Sequence, residues 1–96
     1  MQKTAEQIKN FLQFVALKMI KHPEKAQLRV AEMGEGKLRF RLVLDKSDVA
    51  ILIGRNGFTA SSIRNVVKAV SQRDSIQVNL QILSTEEDQA ELKAQS

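Results

Sequence analysis

The segment Leu52-Ile53-Gly54-Arg55-Asn56-Gly57-Phe58-Thr59-Ala60-Ser61-Ser62-Ile63-Arg64 decides how the chain is read. Two glycines bracket two polar residues, and an apolar helical pattern lies on each side. A short helix fits Asp48 to about Ile53, because Gly54 stops it. Ser47 is placed to cap that helix, and Asp48 in its first turn suits the helix dipole. A second helix fits about Phe58 to Arg73, with Ala60, Ile63, Val67 and Val70 on one face. Glycine lets a backbone approach another chain closely and take positive φ without a Cβ clash. The second glycine opens a helix whose first N–H groups are unpaired and carry partial positive charge. A phosphate docked there meets N–H donors and a favourable dipole. Arg55 adds a mobile cation, and Asn56 a small polar side chain that tolerates left-handed geometry. The plainer reading of the same spacing is a turn between packed helices, with the glycines as a C-cap and a tight bend.

Outward from this loop, period-two alternation marks strands on both sides. Before it, Leu38, Phe40, Leu42 and Leu44 alternate with Arg39 and Arg41 over residues 38–44. Residues 26–33 alternate as well, with Ala26, Leu28 and Val30 on one face. Met33-Gly34-Glu35-Gly36-Lys37 joins these two strands as a hairpin turn. After the loop, Ile76, Val78, Leu80 and Ile82 alternate with Gln77, Asn79 and Gln81 over residues 75–83. Residues 4–21 form an amphipathic helix with Ile8, Phe11, Leu12, Val15, Met19 and Ile20 at three- and four-residue spacing. Thr4 with Gln7 fits a capping box, and Pro23 stops the helix. Phe14 and Leu17 widen the apolar face; the ordinary explanation is a wide core face, the sharper one a partner surface. The order is helix, strand, strand, short helix, Gly-x-x-Gly loop, helix, strand. Three half-apolar strands need cover and three helices supply it, which predicts an α+β two-layer sandwich spanning residues 1–84.

Composition bounds the function. The 96 residues make one domain, and 43% hydrophobic with 27% charged residues is the balance of a folded chain. The longest apolar run, Val49 to Ile53, is far too short to cross a bilayer, so no membrane insertion is expected. There is no cysteine and one histidine, His22, so thiolate chemistry, disulfides and paired-His metal sites are excluded. Asp45 and Asp48 read as helix-start residues, and no base, nucleophile or metal cluster stands beside them. The expectation is a cytoplasmic protein without catalysis, metal or cofactor. The net charge is +4, and it is uneven. Residues 85–96 carry Glu86, Glu87, Asp88 and Glu91 against Lys93 alone, while residues 1–84 hold fourteen bases and seven acids. A basic body with an acidic, flexible tail or frayed helix fits a polyanion binder, and nucleic acid is the commonest such partner. A basic surface without a ligand is the bland alternative. The tail's acids can also fold back over the basic body and compete for it.

The Ile53-Gly54-Arg55-Asn56-Gly57 core, in this element order, resembles the Ile-Gly-x-x-Gly core of KH domains of the type II topology. The single-domain size, with Thr59-Ala60 and Ile63-Arg64 after the loop, is similar to the small bacterial KhpA-type RNA-binding proteins. The resemblance covers about residues 4–84. It implies that Gly54, Arg55, Asn56 and Gly57 clamp the sugar-phosphate backbone of single-stranded RNA. It implies that Ile53 and Ile63 help form an apolar groove for bases, and that Arg64 and Lys68 face the same path. For those two the alternative is a solvated helix face. Two departures lower the charge near the clamp: Ala50-Ile51 stands where the family often has a small and then a basic residue, and Phe58 where a basic one is usual. Phe58 can instead stack a base or pack a partner chain. The resemblance further implies self-association, and pairing with a larger KH-containing partner in RNA chaperone or regulatory work linked to cell-wall growth and cell shape.

Two other classes stay open. An assembly module would use the KH fold for protein contact, which Ile51, Phe58 and the wide first helix favour. A helix-turn-helix binder of duplex DNA also has two helices flanking a turn, but such turns usually carry one glycine.

Overall fold

The computed structural model describes residues 2–54 and 58–95, with the backbone alone at Phe58 and Gln95. Along the chain run α1 (Gln2–Met19), a 3-10 turn (Pro23–Lys25), β1 (Gln27–Gly34), β2 (Lys37–Leu44), α2 (Lys46–Ile53), α3 (Phe58–Arg73), β3 (Gln77–Ser84) and α4 (Thr85–Gln95). The strands form one sheet in the order β1-β2-β3. β1 and β2 pair antiparallel across the Glu35-Gly36 turn. β2 and β3 pair parallel, which requires a crossover, and α2 and α3 provide it. This is the expected α+β sandwich, with one helix more than the three foreseen.

The pleat of β2 divides the molecule. Leu38, Phe40, Leu42 and Leu44 point inward and are buried, Phe40 and Leu44 completely. They meet Ile8, Leu12 and Ala16 of α1, Val49 and Leu52 of α2, and Ile63 and Val67 of α3. Burying one such side chain contributes roughly 1.5–3 kcal/mol, so this single cluster fixes the three helices on the inner face. Arg39, Arg41 and Val43 point to the outer face.

Helix α1 starts before Thr4. Thr4 is therefore no cap: it is buried inside the first turns, and its hydroxyl donates to Asp74 at 2.7 Å. Hydrogen bonds from Arg73 and then Thr4 hold the Asp74 carboxyl down at about 2. The helix ends at Met19, well before Pro23, because the next amides go elsewhere. Lys21 and His22 donate their backbone N–H groups to the two carboxylate oxygens of Asp48, at 2.8 and 2.9 Å. Asp48 is wholly buried. Helix α2 is capped by Asp45, not Ser47: the Asp45 carboxylate accepts from the Ser47 amide at 3.2 Å and its hydroxyl at 2.6 Å. Those bonds pull the Asp45 carboxyl down to about 2.

Two expectations for the surface change. Phe14 and Leu17, read as a widened core face, are 64% and 65% exposed, because the stripe through Ile8, Leu12 and Ala16 already fills the inner layer. The Lys18 ammonium lies 5.5 Å from the Phe14 ring centroid, a cation–π contact. Residues 85–96, read as a tail or frayed helix, are helical from Thr85 to Gln95. Ser84 and Glu87 form a reciprocal capping box, each side chain accepting the other's backbone N–H at 3.1 Å. Helix α4 then lies on the outer face of the sheet. Asp88, buried, pairs with Arg29 and Arg41, and Glu91 meets Arg41 at 3.0 Å.

Candidate nucleic-acid interface

Three constraints place the end of α2, where Gly54 begins the Gly-x-x-Gly stretch. Asp45 caps the start of α2, Asp48 ties its first turn to the end of α1, and Leu52 anchors its last turn in the core. Gly54 then closes α2 by donating its N–H to the Ala50 carbonyl at 3.0 Å. Its φ of +66° and ψ of −172° lie in a region open essentially to glycine alone. A Cβ there would stand 2.8 Å from Thr59 Oγ1, so the end of α2 comes directly against the first turn of α3. Gly54→Ala should therefore cost about 1.5 kcal/mol, from backbone strain and the forced Thr59 shift. For a domain of this size the melting temperature should fall by roughly 6–12 °C. A melt within 1 °C of the parent protein would show that the turn adapts and the glycine is dispensable. Arg55, Asn56, Gly57 and the Phe58 side chain lie outside the described residues.

Beyond the loop, α3 presents Arg64 and Lys68, both exposed, one turn apart on one face. They stand on the wall of a cleft between α3 and β3. Val67 and Val78 form part of its floor, Ser71 and Leu80 line it, and Asn79 closes the strand side. Among the described residues β3 pairs with β2 alone, so its other edge turns backbone N–H and C=O groups to this cleft. Cations on one wall and backbone groups on the other suit a flexible polyanion whose bases turn inward. Towards the start of β3 the cleft continues past Gln72 and Ile76 to Lys37 and Arg39, in a hollow of about 690 Å³. At the other end, by Ser84, Glu86 and Glu87 stand near Lys46 and Ile53.

The residues expected at the site are thus distributed unevenly. Arg64 and Lys68 come together on the cleft. Gly54 sits at the α2–α3 junction. Ile53 is 44% exposed, but it faces the Ser84 end with Val49 and Ala50. Ile63 is 5% exposed and belongs to the core, so it supports α3 from beneath and offers no open surface for a base. Lys37, Arg39 and the β3 edge were not singled out. Their signal was present, since Arg39 stood among the outward positions of its strand, but alternation does not say which strand is an edge. Among the described residues no cluster of three His, Asp or Glu side chains is placed to hold a metal, and no helix is long and apolar enough to cross a membrane.

A family model described as the KH domain of KhpA and KhpB matches residues 9–82. Among similar proteins, an RNA-binding protein KhpA of Chlamydia muridarum is 29% identical over 76 residues, covering 79% of this chain and 96% of the relative. One of Halalkalibacterium halodurans is 30% identical over 77 residues, covering 79% and 99%. One of Streptococcus pneumoniae serotype 4 is 35% identical over 63 residues, covering 66% and 78%. Helix α4 lies beyond the residues that the family model matches.

Proposed function

The chain belongs to the KhpA/KhpB KH-domain family, and from that membership we propose that it binds single-stranded RNA without catalysis. The observation that carries this reading is the α3–β3 cleft, with Arg64 and Lys68 on one wall and an open strand edge on the other. Gly54 to Gly57 clamp the sugar-phosphate backbone at the loop, and bases lie in the cleft and meet the β3 edge. A KH groove holds about four nucleotides, so one copy binds weakly. Useful affinity then comes from joining grooves, as a homodimer or with a larger KH-domain partner. In that form the protein works in the cytoplasm as an RNA chaperone or post-transcriptional regulator in cell-wall growth and cell shape. The exposed Phe14 and Leu17 favour a second reading, an assembly module with little RNA affinity of its own.

The test compares two charge reversals by fluorescence anisotropy with labelled single-stranded RNA. Arg55→Asp with Asn56→Asp puts two negative charges at the loop. Arg64→Glu with Lys68→Glu does the same on the cleft. Each pair should weaken binding at least tenfold, which is about 1.4 kcal/mol. Arg64 and Lys68 are exposed and make no ion pair with a described residue, so melting should barely move for the second pair. RNA affinity that survives both reversals, in a protein that still self-associates, would establish the assembly reading.

A further inference from the structure

Arg39 lines two hollows, one that wraps round the edge of the sheet at the start of β3 and one on its outer face. The α3–β3 cleft wraps past the start of β3, where Lys37, Gln77 and Asn79 line it together with Arg39. A second hollow, of about 400 Å³, opens on the outer face between β1, β2 and α4. Ala31 and Leu92 give it an apolar lining, and Arg29, Arg41 and again Arg39 give it charge. The three arginines are not equivalent. Arg29 and Arg41 are engaged by Asp88, and Arg41 also by Glu91 and by Gln81 at 2.9 Å. Arg39 stands between Ala31 and Asn79 in the sheet register and has no carboxylate partner among the described residues. Lys37, two residues earlier on the same face of β2, is exposed. By Ser84, at the other end of β3, a separate hollow sets Glu86 and Glu87 beside Lys46, so its charge is mixed.

A polyanion lying in the cleft thus meets an excess of cations, Lys68, Lys37 and Arg39, towards the start of β3. We propose that single-stranded RNA leaves the cleft at the start of β3, turns over that edge, and sets a phosphate on Arg39 at the outer face of the sheet. This inference rests on the RNA reading of the α3–β3 cleft and extends it. A guanidinium without a carboxylate is free to take phosphate oxygens in a two-pronged contact. Asp88 and Glu91 neutralise the neighbouring arginines, so the path ends at Arg39. The strand bound is then longer than the four or so nucleotides of the groove itself.

The experiment titrates labelled uridine oligomers of four and of ten nucleotides with the whole protein and its Arg39→Gln and Arg39→Lys variants. Ratios of variant to parent at each length cancel the extra binding registers of the longer strand. Arg39→Gln should weaken the ten-nucleotide RNA by a factor of about three to five and leave the four-nucleotide RNA unchanged. It should also make the slope of log affinity against log salt shallower by about 0.7 for the longer RNA alone. Arg39→Lys should restore that slope. Equal losses at both lengths, or no loss with the longer strand, would overturn the path and leave the cleft reading standing. Binding of neither length by the parent protein would remove the cleft reading, and this path with it.

Discussion

Asp48→Ala is expected to lower folding stability by about 3 kcal/mol, although the residue sits in a helix whose own capping it does not perform. Asp48 is wholly buried, and its two oxygens accept the backbone N–H groups of Lys21 and His22 at 2.8 and 2.9 Å. Hydrogen bonds to a charged acceptor contribute roughly 1.5–3 kcal/mol each. Alanine removes the acceptor and leaves two amide donors at a half-buried chain reversal. The loss is smaller than the two bonds summed, because removing the carboxylate also removes the cost of burying it on folding. Unfolding in urea gives the free energy directly. A thermal melt should show a fall of roughly 12–24 °C for a domain of this size. Asp48→Asn keeps the shape and one acceptor oxygen but turns an N–H₂ group toward an amide, so it should fall between the two. A loss under 1 kcal/mol for the alanine variant would mean that water serves those amides as well. RNA binding reads the same contact a second way. Asp48 fixes the first turn of α2, and the last turn of α2 delivers Gly54 to Thr59. Loosening one end should lower affinity even at temperatures where the variant is folded.

That contact also shows what a sequence reader could and could not see. The period-two runs of β2 and β3 and the 3.6-period run of α3 are local, so their placement was legible, with α3 close to the expected span. The crossover between parallel β2 and β3 follows from element order. The partner of Asp48 does not, because it lies 26 or 27 residues away and reaches backbone, which carries no residue-type signal. Nearby acids therefore looked like ordinary helix-start residues, and the capping role went to Ser47 where Asp45 performs it. Phe14 and Leu17 failed for another reason. Periodicity shows that they are apolar and adjacent to the stripe, but the width of the inner layer is set by the sheet and by α3. Helix α4 is the reverse case. Ser84-Thr85-Glu86-Glu87 is a capping-box signature and was legible, yet the helix after it has almost no apolar stripe. It is held by charge on the outer face, where Arg29 and Arg41 were correctly read as outward but not as partners of the acidic segment.

Asp88→Ala should cost about 2 kcal/mol and should release α4, and truncation after Ser84 sets the limit on that loss. An eleven-residue helix is too short to persist alone in water, so α4 depends on what it touches. Its contacts include the capping box, the Glu91–Arg41 pair, and Asp88 between Arg29 and Arg41. Val43 of the outer face is only 2% exposed and stands apart from the inner cluster, so α4 also shelters apolar surface. If α4 stayed docked without Asp88, the Arg41 side chain, 12% exposed, would keep Glu91 and Gln81 but lose its most buried counter-charge. Breaking a buried pair from one side costs 3–5 kcal/mol when the remaining charge is stranded. Arg41 has a cheaper course: α4 detaches and both arginines regain water. The loss is then capped at the docking free energy of α4, and the alanine variant and the truncated chain should unfold at the same urea concentration. Amide hydrogen exchange should show residues 85–95 unprotected in Asp88→Ala and protected in the parent protein. Full protection in the variant, with a stability loss under about 0.5 kcal/mol, would mean that the capping box and the cover over Val43 hold the helix. Arg29 would then be free to answer an external anion, and the outer-face path would continue past Arg39 instead of ending there.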